Sequence, residues 1–155
     1  MATSPAGRAL IESFEGLRTE SYQDTGGIWT LGYGHVQGAC EGNTCTPEQA
    51  DAWLAEDLAM TEAGVNAAVA EPINQNQFDS LISLAFNIGL GAFRSSTLLK
   101  LLNSGNPALA AQQFVRWDQV NGKPSDGILR RRQAEAALFL TPIICTPEQV
   151  SAEEA

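Results

Sequence analysis

Apolar positions recur at helical spacing in the opening stretch, at Leu10, Ile11, Phe14 and Leu17, behind Ser4-Pro5, which has the form of an N-cap followed by proline in the first turn. Gly16 offers the stop. The texture then changes. Tyr22, Ile28, Trp29, Thr30, Leu31 and Tyr33 are strand formers interrupted by Thr25-Gly26-Gly27, and they predict a hairpin between Thr19 and His35. A glycine-rich loop from Gly38 to Thr44 follows. Thr46-Pro47-Glu48-Gln49 is a capping box with proline at the first helical position. The helix it opens is expected to reach about Val69, with Leu54, Leu58, Val65 and Val69 on its apolar stripe. Asn74 opens the next, where Phe78, Leu81, Ile82, Leu84, Ala85 and Ile88 predict a central buried helix ended by Gly89 and Gly91. Shorter helices are expected over about 95–103 and 107–117, and a last one from near Asp126 to Leu140. Helix dominates, with one small antiparallel sheet near the front, so the expected class is α+β.

With 155 residues and 44% hydrophobic content, the chain fits one domain, or one domain with two small lobes, around a packed core. No run approaches the roughly 18 apolar residues of a membrane-spanning helix, and the first residues lack the basic start and apolar run of a signal peptide. The expectation is synthesis in the cytoplasm, with export left to another agent. A formal charge of -9 argues against nucleic acid as a partner. The charge is uneven: residues 1–93 carry two basic against twelve acidic side chains, and residues 94–155 seven against six, with a small basic zone at Arg130, Arg131 and Arg132.

Three cysteines do not make a disulfide framework, and the odd count leaves a thiol over. Cys40 and Cys45 close a short loop that a disulfide would stabilise by about 2 kcal/mol after export and that the cytosol would keep reduced. A zinc site would need His35 and a further ligand beside those two thiols, so no metal is expected. Residues 142–155 read as an acidic tail that repeats the Cys-Thr-Pro-Glu-Gln string of 45–49 and holds Cys145, a candidate free or dimer-forming thiol.

Acid–base chemistry has three candidates. Glu15, beside the apolar stripe at a helix end, would keep its proton if partly buried, but position alone favours a solvated glutamate. Asp24 before the glycine turn suits local hydrogen bonding, and Thr30 is an ordinary strand residue. As a pair they say more. A three-residue loop pairs 24 with 28 and 22 with 30, making Asp24 and Thr30 diagonal neighbours on one face, whereas a two-residue loop would put them on opposite faces. A carboxylic acid at a helix end, with a carboxylate and a hydroxyl on a facing hairpin, is what inverting glycoside hydrolysis needs: one group protonates the leaving oxygen, the others hold a water.

Glu15-Gly16-Leu17-Arg18, Tyr22-Gln23-Asp24 and Thr30-Leu31-Gly32-Tyr33-Gly34-His35 together resemble the catalytic signature of the phage lysozyme (endolysin) family. Asn74 to Leu81, Phe86-Asn87-Ile88-Gly89, Ser96-Thr97-Leu98-Leu99, Phe114-Val115-Arg116-Trp117 and Arg131-Arg132-Gln133-Ala134-Glu135 resemble later stretches of P22-type and lambdoid members in the same order. The resemblance implies a lysozyme-like catalytic domain over 1–141, with a β-lobe at about 19–45, a helical lobe at about 46–141 together with the helix at 4–16, and a cleft between. It implies Glu15 as general acid, Asp24 positioning the attacking water and stabilising oxocarbenium charge, and Thr30 holding that water. The implied substrate is the β-1,4 bond between N-acetylmuramic acid and N-acetylglucosamine in peptidoglycan, cleaved with inversion and without a cofactor by a monomer that a holin releases to the wall. Phe86 and Asn87 would face the cleft, although Phe86 also suits plain core packing. His35 would anchor the hairpin by an ion pair, and one of Arg130, Arg131 and Arg132 would pair with Glu15, with Arg131 and Arg132 as structural support. Trp117 suits the core better than a sugar platform.

A wall-binding module that keeps the cleft without turnover is the competing class. Transglycosylase chemistry, in which a muramyl hydroxyl replaces water, is the closer alternative. The net acidity forgoes the long-range attraction that basic lysozymes have for anionic walls.

Overall fold

Local signals fix most element starts. In the computed structural model, which describes residues 1–144, α1 (Pro5–Glu15) begins at Ser4, whose hydroxyl accepts from the Gly7 amide, and ends where Gly16 turns to φ 68°. The first β-hairpin pairs β1 (Arg18–Gln23) with β2 (Trp29–Gly32) antiparallel, Tyr22 opposite Thr30. The long helix α2 (Pro47–Ala68) starts at the full Thr46–Gln49 capping box, and α3 (Gln75–Ile88) at an equivalent box from Asn74 to Gln77. Each such cap is worth about 1 kcal/mol because it satisfies an amide the helix leaves orphaned.

Beyond α3 the chain departs from the expected pattern. Gly89, at φ 90°, both ends α3 and opens a further helix, α4 (Leu90–Ser95), which a reading of Gly89 and Gly91 as stops does not foresee. Next come α5 (Thr97–Asn103) and α6 (Pro107–Ala111). The helix expected to 117 gives way instead to a 3₁₀ turn at Phe114–Arg116. A second small hairpin, β3 (Gln119–Val120) with β4 (Lys123–Pro124), corrects the expectation of a single sheet. Its two-residue loop is Asn121-Gly122, both at positive φ as a type I′ turn requires. The last helix, α7 (Asp126–Leu140), is capped by Ser125.

Helix α3 is the centre of the fold, packed by α1, α2, α4 and α7. Phe78, Leu81, Ile82, Leu84 and Ala85 are buried there with Ile11, Leu54, Val65, Phe93, Phe114 and Phe139. A separate small cluster, Leu31, Cys45 and Ala50, seats the first hairpin on the start of α2. No helix of the described residues is long and apolar enough to cross a membrane. Cys40 is exposed and Cys45 buried, both unpaired thiols. Cys145 and the rest of the tail after Ile144 lie outside the described residues.

Candidate active site

Glu15 closes α1, and the next residue, Gly16, turns the chain into the hairpin, so one short connection sets the carboxyl against the β-lobe. The approach is close. Gly34, at φ 75°, lies where an added Cβ would stand 3.0 Å from Glu15 Oε2. Gly34→Ala is therefore expected to cost about 1–2 kcal/mol through the left-handed backbone alone. The same methyl would also push the Glu15 carboxyl off its seat. Thermal melting and the Glu15 carboxyl carbon resonance would report the two effects separately.

From the other side, Arg131 Nη1 donates to Glu15 Oε1 at 2.8 Å, settling which of the three adjacent arginines makes this contact. The Glu15 side chain is left 18% accessible. Arg131 is itself held: Nη2 donates to the Ser83 carbonyl at 3.1 Å, and its guanidinium lies over the Phe14 ring. Arg132 points elsewhere, donating from Nη2 to Asn87 Oδ1 at 2.7 Å. Behind both arginines sits Glu135, fully buried, with Oε1 3.1 Å from Arg132 Nε and 3.5 Å from Arg131 Nε. Burial pushes the Glu135 carboxyl up to about 7, against the opposing pull of Arg132 and Arg131. Burial likewise brings Arg132 down to about 10. The spacing Arg131, Arg132, Glu135 is an i,i+3 and i,i+4 signal on one helix face, and it carries more of the site than the resemblance alone assigned to it.

The first hairpin has the three-residue loop that the facing argument requires. The Asp24 amide donates to the Ile28 carbonyl, the pairing of 24 with 28 makes Asp24 and Thr30 diagonal neighbours on one face, and Gly27 closes the turn onto the Asp24 carbonyl. Asp24 Oδ1 accepts from the Gly26 and Ile28 amides at 2.8 and 2.9 Å, which fixes the carboxylate and leaves Oδ2 outside the turn's bonding. Thr30 is buried, its hydroxyl donating to the Ile28 carbonyl at 3.1 Å. At the hairpin's far end His35 exchanges backbone bonds with Leu31, stacks on Trp53 and meets Asp57 Oδ2 at 2.8 Å through Nδ1. The partner of the expected anchoring contact is thus Asp57 on α2.

A cleft of about 480 Å³ runs between these parts, with Glu15 and Gly34 on one wall, Asp57 and Met60 of α2 on another, and Phe86 and Asn87 on a third. Phe86 is half-buried and Asn87 exposed, both lining the cleft. Asp24 and Thr30 are not among its lining residues. Trp117 packs against the main core. Among the described residues, no three His, Cys, Asp or Glu side chains converge as metal ligands do. The arrangement brings one shielded carboxyl, gripped by an arginine, to the wall of an open cleft, beside a hairpin that carries a fixed carboxylate and a hydroxyl on one face.

Comparison with known proteins gives concordant matches. The family model described as phage lysozyme matches residues 12–135. An endolysin of Acyrthosiphon pisum secondary endosymbiont phage 1 is 48% identical over 90% of this chain and 98% of its own length. The endolysin of Bacillus phage PZA is 45% identical over 97% of this chain but only 58% of its own, so the chain spans little more than half of that relative. Among solved structures, the muramidase domain of SpmX from Asticaccaulis excentricus superposes with a TM-score of 0.84 at 45% identity, covering 90% of this chain and 97% of that one.

Proposed function

The chain belongs to the phage lysozyme family, and from that membership we propose that it hydrolyses the β-1,4 bond between N-acetylmuramic acid and N-acetylglucosamine in bacterial peptidoglycan, with Glu15 as general acid. It is a glycoside hydrolase that acts on the cell wall. The observation that carries the assignment of Glu15 is its position: a largely shielded carboxyl on the cleft wall, fixed at 2.8 Å by Arg131 and covered by Gly34. A glycosidic oxygen entering the cleft meets a proton donor whose direction is already set, so little ordering is left for the reaction step.

Asp24 and Thr30 take the other half of the chemistry in this reading. With Oδ1 tied to two amides, Asp24 presents Oδ2 as base and as a negative charge for the oxocarbenium-like transition state, and the Thr30 oxygen accepts from the same water. Attack by a water held opposite the leaving oxygen inverts the anomeric centre. Phe86 and Asn87 form the sugar-facing wall, Asn87 held by Arg132, and the His35–Asp57 contact with the Trp53 stack keeps the hairpin on α2. The two apolar clusters support a β-lobe over about 19–45 and a helical lobe over 46–141 with α1. The enzyme works as a monomer, made in the host cytoplasm and let through to the wall by a holin.

Proton NMR of peptidoglycan fragments during cleavage tests the reaction. New reducing ends that first accumulate as the α-anomer are the expected outcome. First-formed β-anomer would overturn inversion, anhydro-muramic ends would replace hydrolysis by transglycosylation, and no chain shortening would leave a wall-binding module.

A further inference from the structure

An arginine at 2.8 Å from a general acid raises a difficulty, because a cation that close favours the ionised carboxylate and the acid has to arrive protonated. A second arginine follows immediately in the chain, wholly buried. We propose that Glu135 is the positioning residue that resolves this: by holding Arg131 and Arg132 from behind, it shares their charge and lets Glu15 keep the proton it delivers.

The geometry is particular to these four side chains. Glu135 Oε1 lies within 3.5 Å of Arg131 Nε and 3.1 Å of Arg132 Nε, while the outer nitrogens of the two arginines diverge, Arg131 to Glu15 and Arg132 to Asn87 on the cleft wall. One sealed carboxylate thus sets the direction of both arms that reach the substrate side. Other charges are few. From α1 only Glu15 faces the cluster, and α3 contributes the uncharged Ser83 and Asn87 while its Asp79 is occupied by Ser4 and Gln75. Helix α6 and strand β3 carry no charged residue, and Arg116 of the 3₁₀ turn is exposed. With Glu15 protonated and Glu135 ionised the group carries one net positive charge. Neutralising Glu135 makes that two, in a site where water screens little. Burial raises the Glu135 carboxyl to about 7, so its negative charge grows as pH rises through that value.

This rests on Glu15 being the acid, and the test separates the two. In Glu135→Gln the alkaline limb of kcat for glycan cleavage is expected to move down by about one pH unit, with KM for the glycan little changed. Arg132→Gln, which removes a positive charge instead, is expected to move the limb upward, and the double variant to return it toward wild type. A limb unmoved in folded Glu135→Gln, or moved downward in Arg132→Gln, overturns the proposal; if Glu135→Gln does not fold, the Arg132→Gln direction decides. Carbon-13 labelling of glutamate carboxyls reads the same coupling without turnover: the Glu15 titration midpoint is expected to fall in Glu135→Gln. A chain that cleaves nothing yet shows that NMR shift removes the hydrolase reading and keeps the Glu135 coupling; cleavage with an unmoved midpoint does the reverse.

Discussion

Glu15→Gln is expected to slow glycan cleavage by about 10²- to 10⁴-fold, the range a positioned general acid contributes, while leaving the protein folded and able to bind its substrate. The amide has the size of the carboxyl and keeps a carbonyl oxygen that can still accept from Arg131 Nη1. Neither the Gly34 approach nor the end of α1 has reason to move. What the variant lacks is the proton. Pelleting with purified peptidoglycan and release of reducing ends measure the two halves of this expectation. Retained binding with lost release is the expected combination. Turnover within tenfold of wild type would take the acid role from Glu15.

Much of the frame was legible in the chain because the signals are local. Ser4-Pro5, Thr46 to Gln49 and Asn74 to Gln77 satisfy amides within their own first turns, so no distant partner is needed for those starts to be read. The hairpin itself was equally legible, but Thr25-Gly26-Gly27 left its loop at two or three residues, and only the pairing of Asp24 with Ile28 makes it three. Two failures have different causes. Gly89 satisfies a stop signal and then starts α4, and nothing local to Leu90–Ser95 distinguishes a renewed helix from a loop; Phe93, buried in the main core, supplies the reason from afar. The Asn121-Gly122 turn carried the strongest short hairpin signal in the sequence, but its strands of two residues each are too short to show alternation.

The site was legible in part for a similar reason. Glu15, Asp24 and Thr30 sit in a compact signature, whereas the contact of Glu15 with Arg131 joins residues 116 apart. Three adjacent arginines leave the register open until α7 is placed on α3. Yet α7 held a clue: Ile128, Arg132, Glu135 and Phe139 share one helical stripe, so two opposite charges lie on the face that the apolar residues send inward. A buried charged pair on a core stripe needs partners, and that requirement points across the core to α1 and the cleft.

That requirement also sets the second large effect. Arg131→Met is expected to lower the unfolding free energy by about 3–5 kcal/mol, the cost of removing one partner from a buried ion cluster. Methionine replaces the stem of the side chain but leaves Glu135 facing Arg132 alone and Glu15 without its donor. The loss should depend on pH with a definite sign. Burial already raises Glu135 from 4.5 to about 7, and removal of Arg131, one of the groups that lowers it, raises it further. The folded state then holds a proton that the unfolded chain releases above its ordinary value, so stability falls as pH rises through the folded value. Urea unfolding is expected to give the smaller deficit at pH 5 and a larger one at pH 8, still growing toward the raised folded value. Removing the remaining charges tests the cause: with Arg131→Met, Arg132→Met and Glu135→Leu together, no charge is left in the fully buried part of the cluster, and most of the stability lost there should return while activity does not. A deficit below about 1 kcal/mol at pH 8 would put the Glu15–Arg131 contact in the class of solvent-screened surface pairs. A triple variant less stable than the single one would assign the loss to packing rather than to charge.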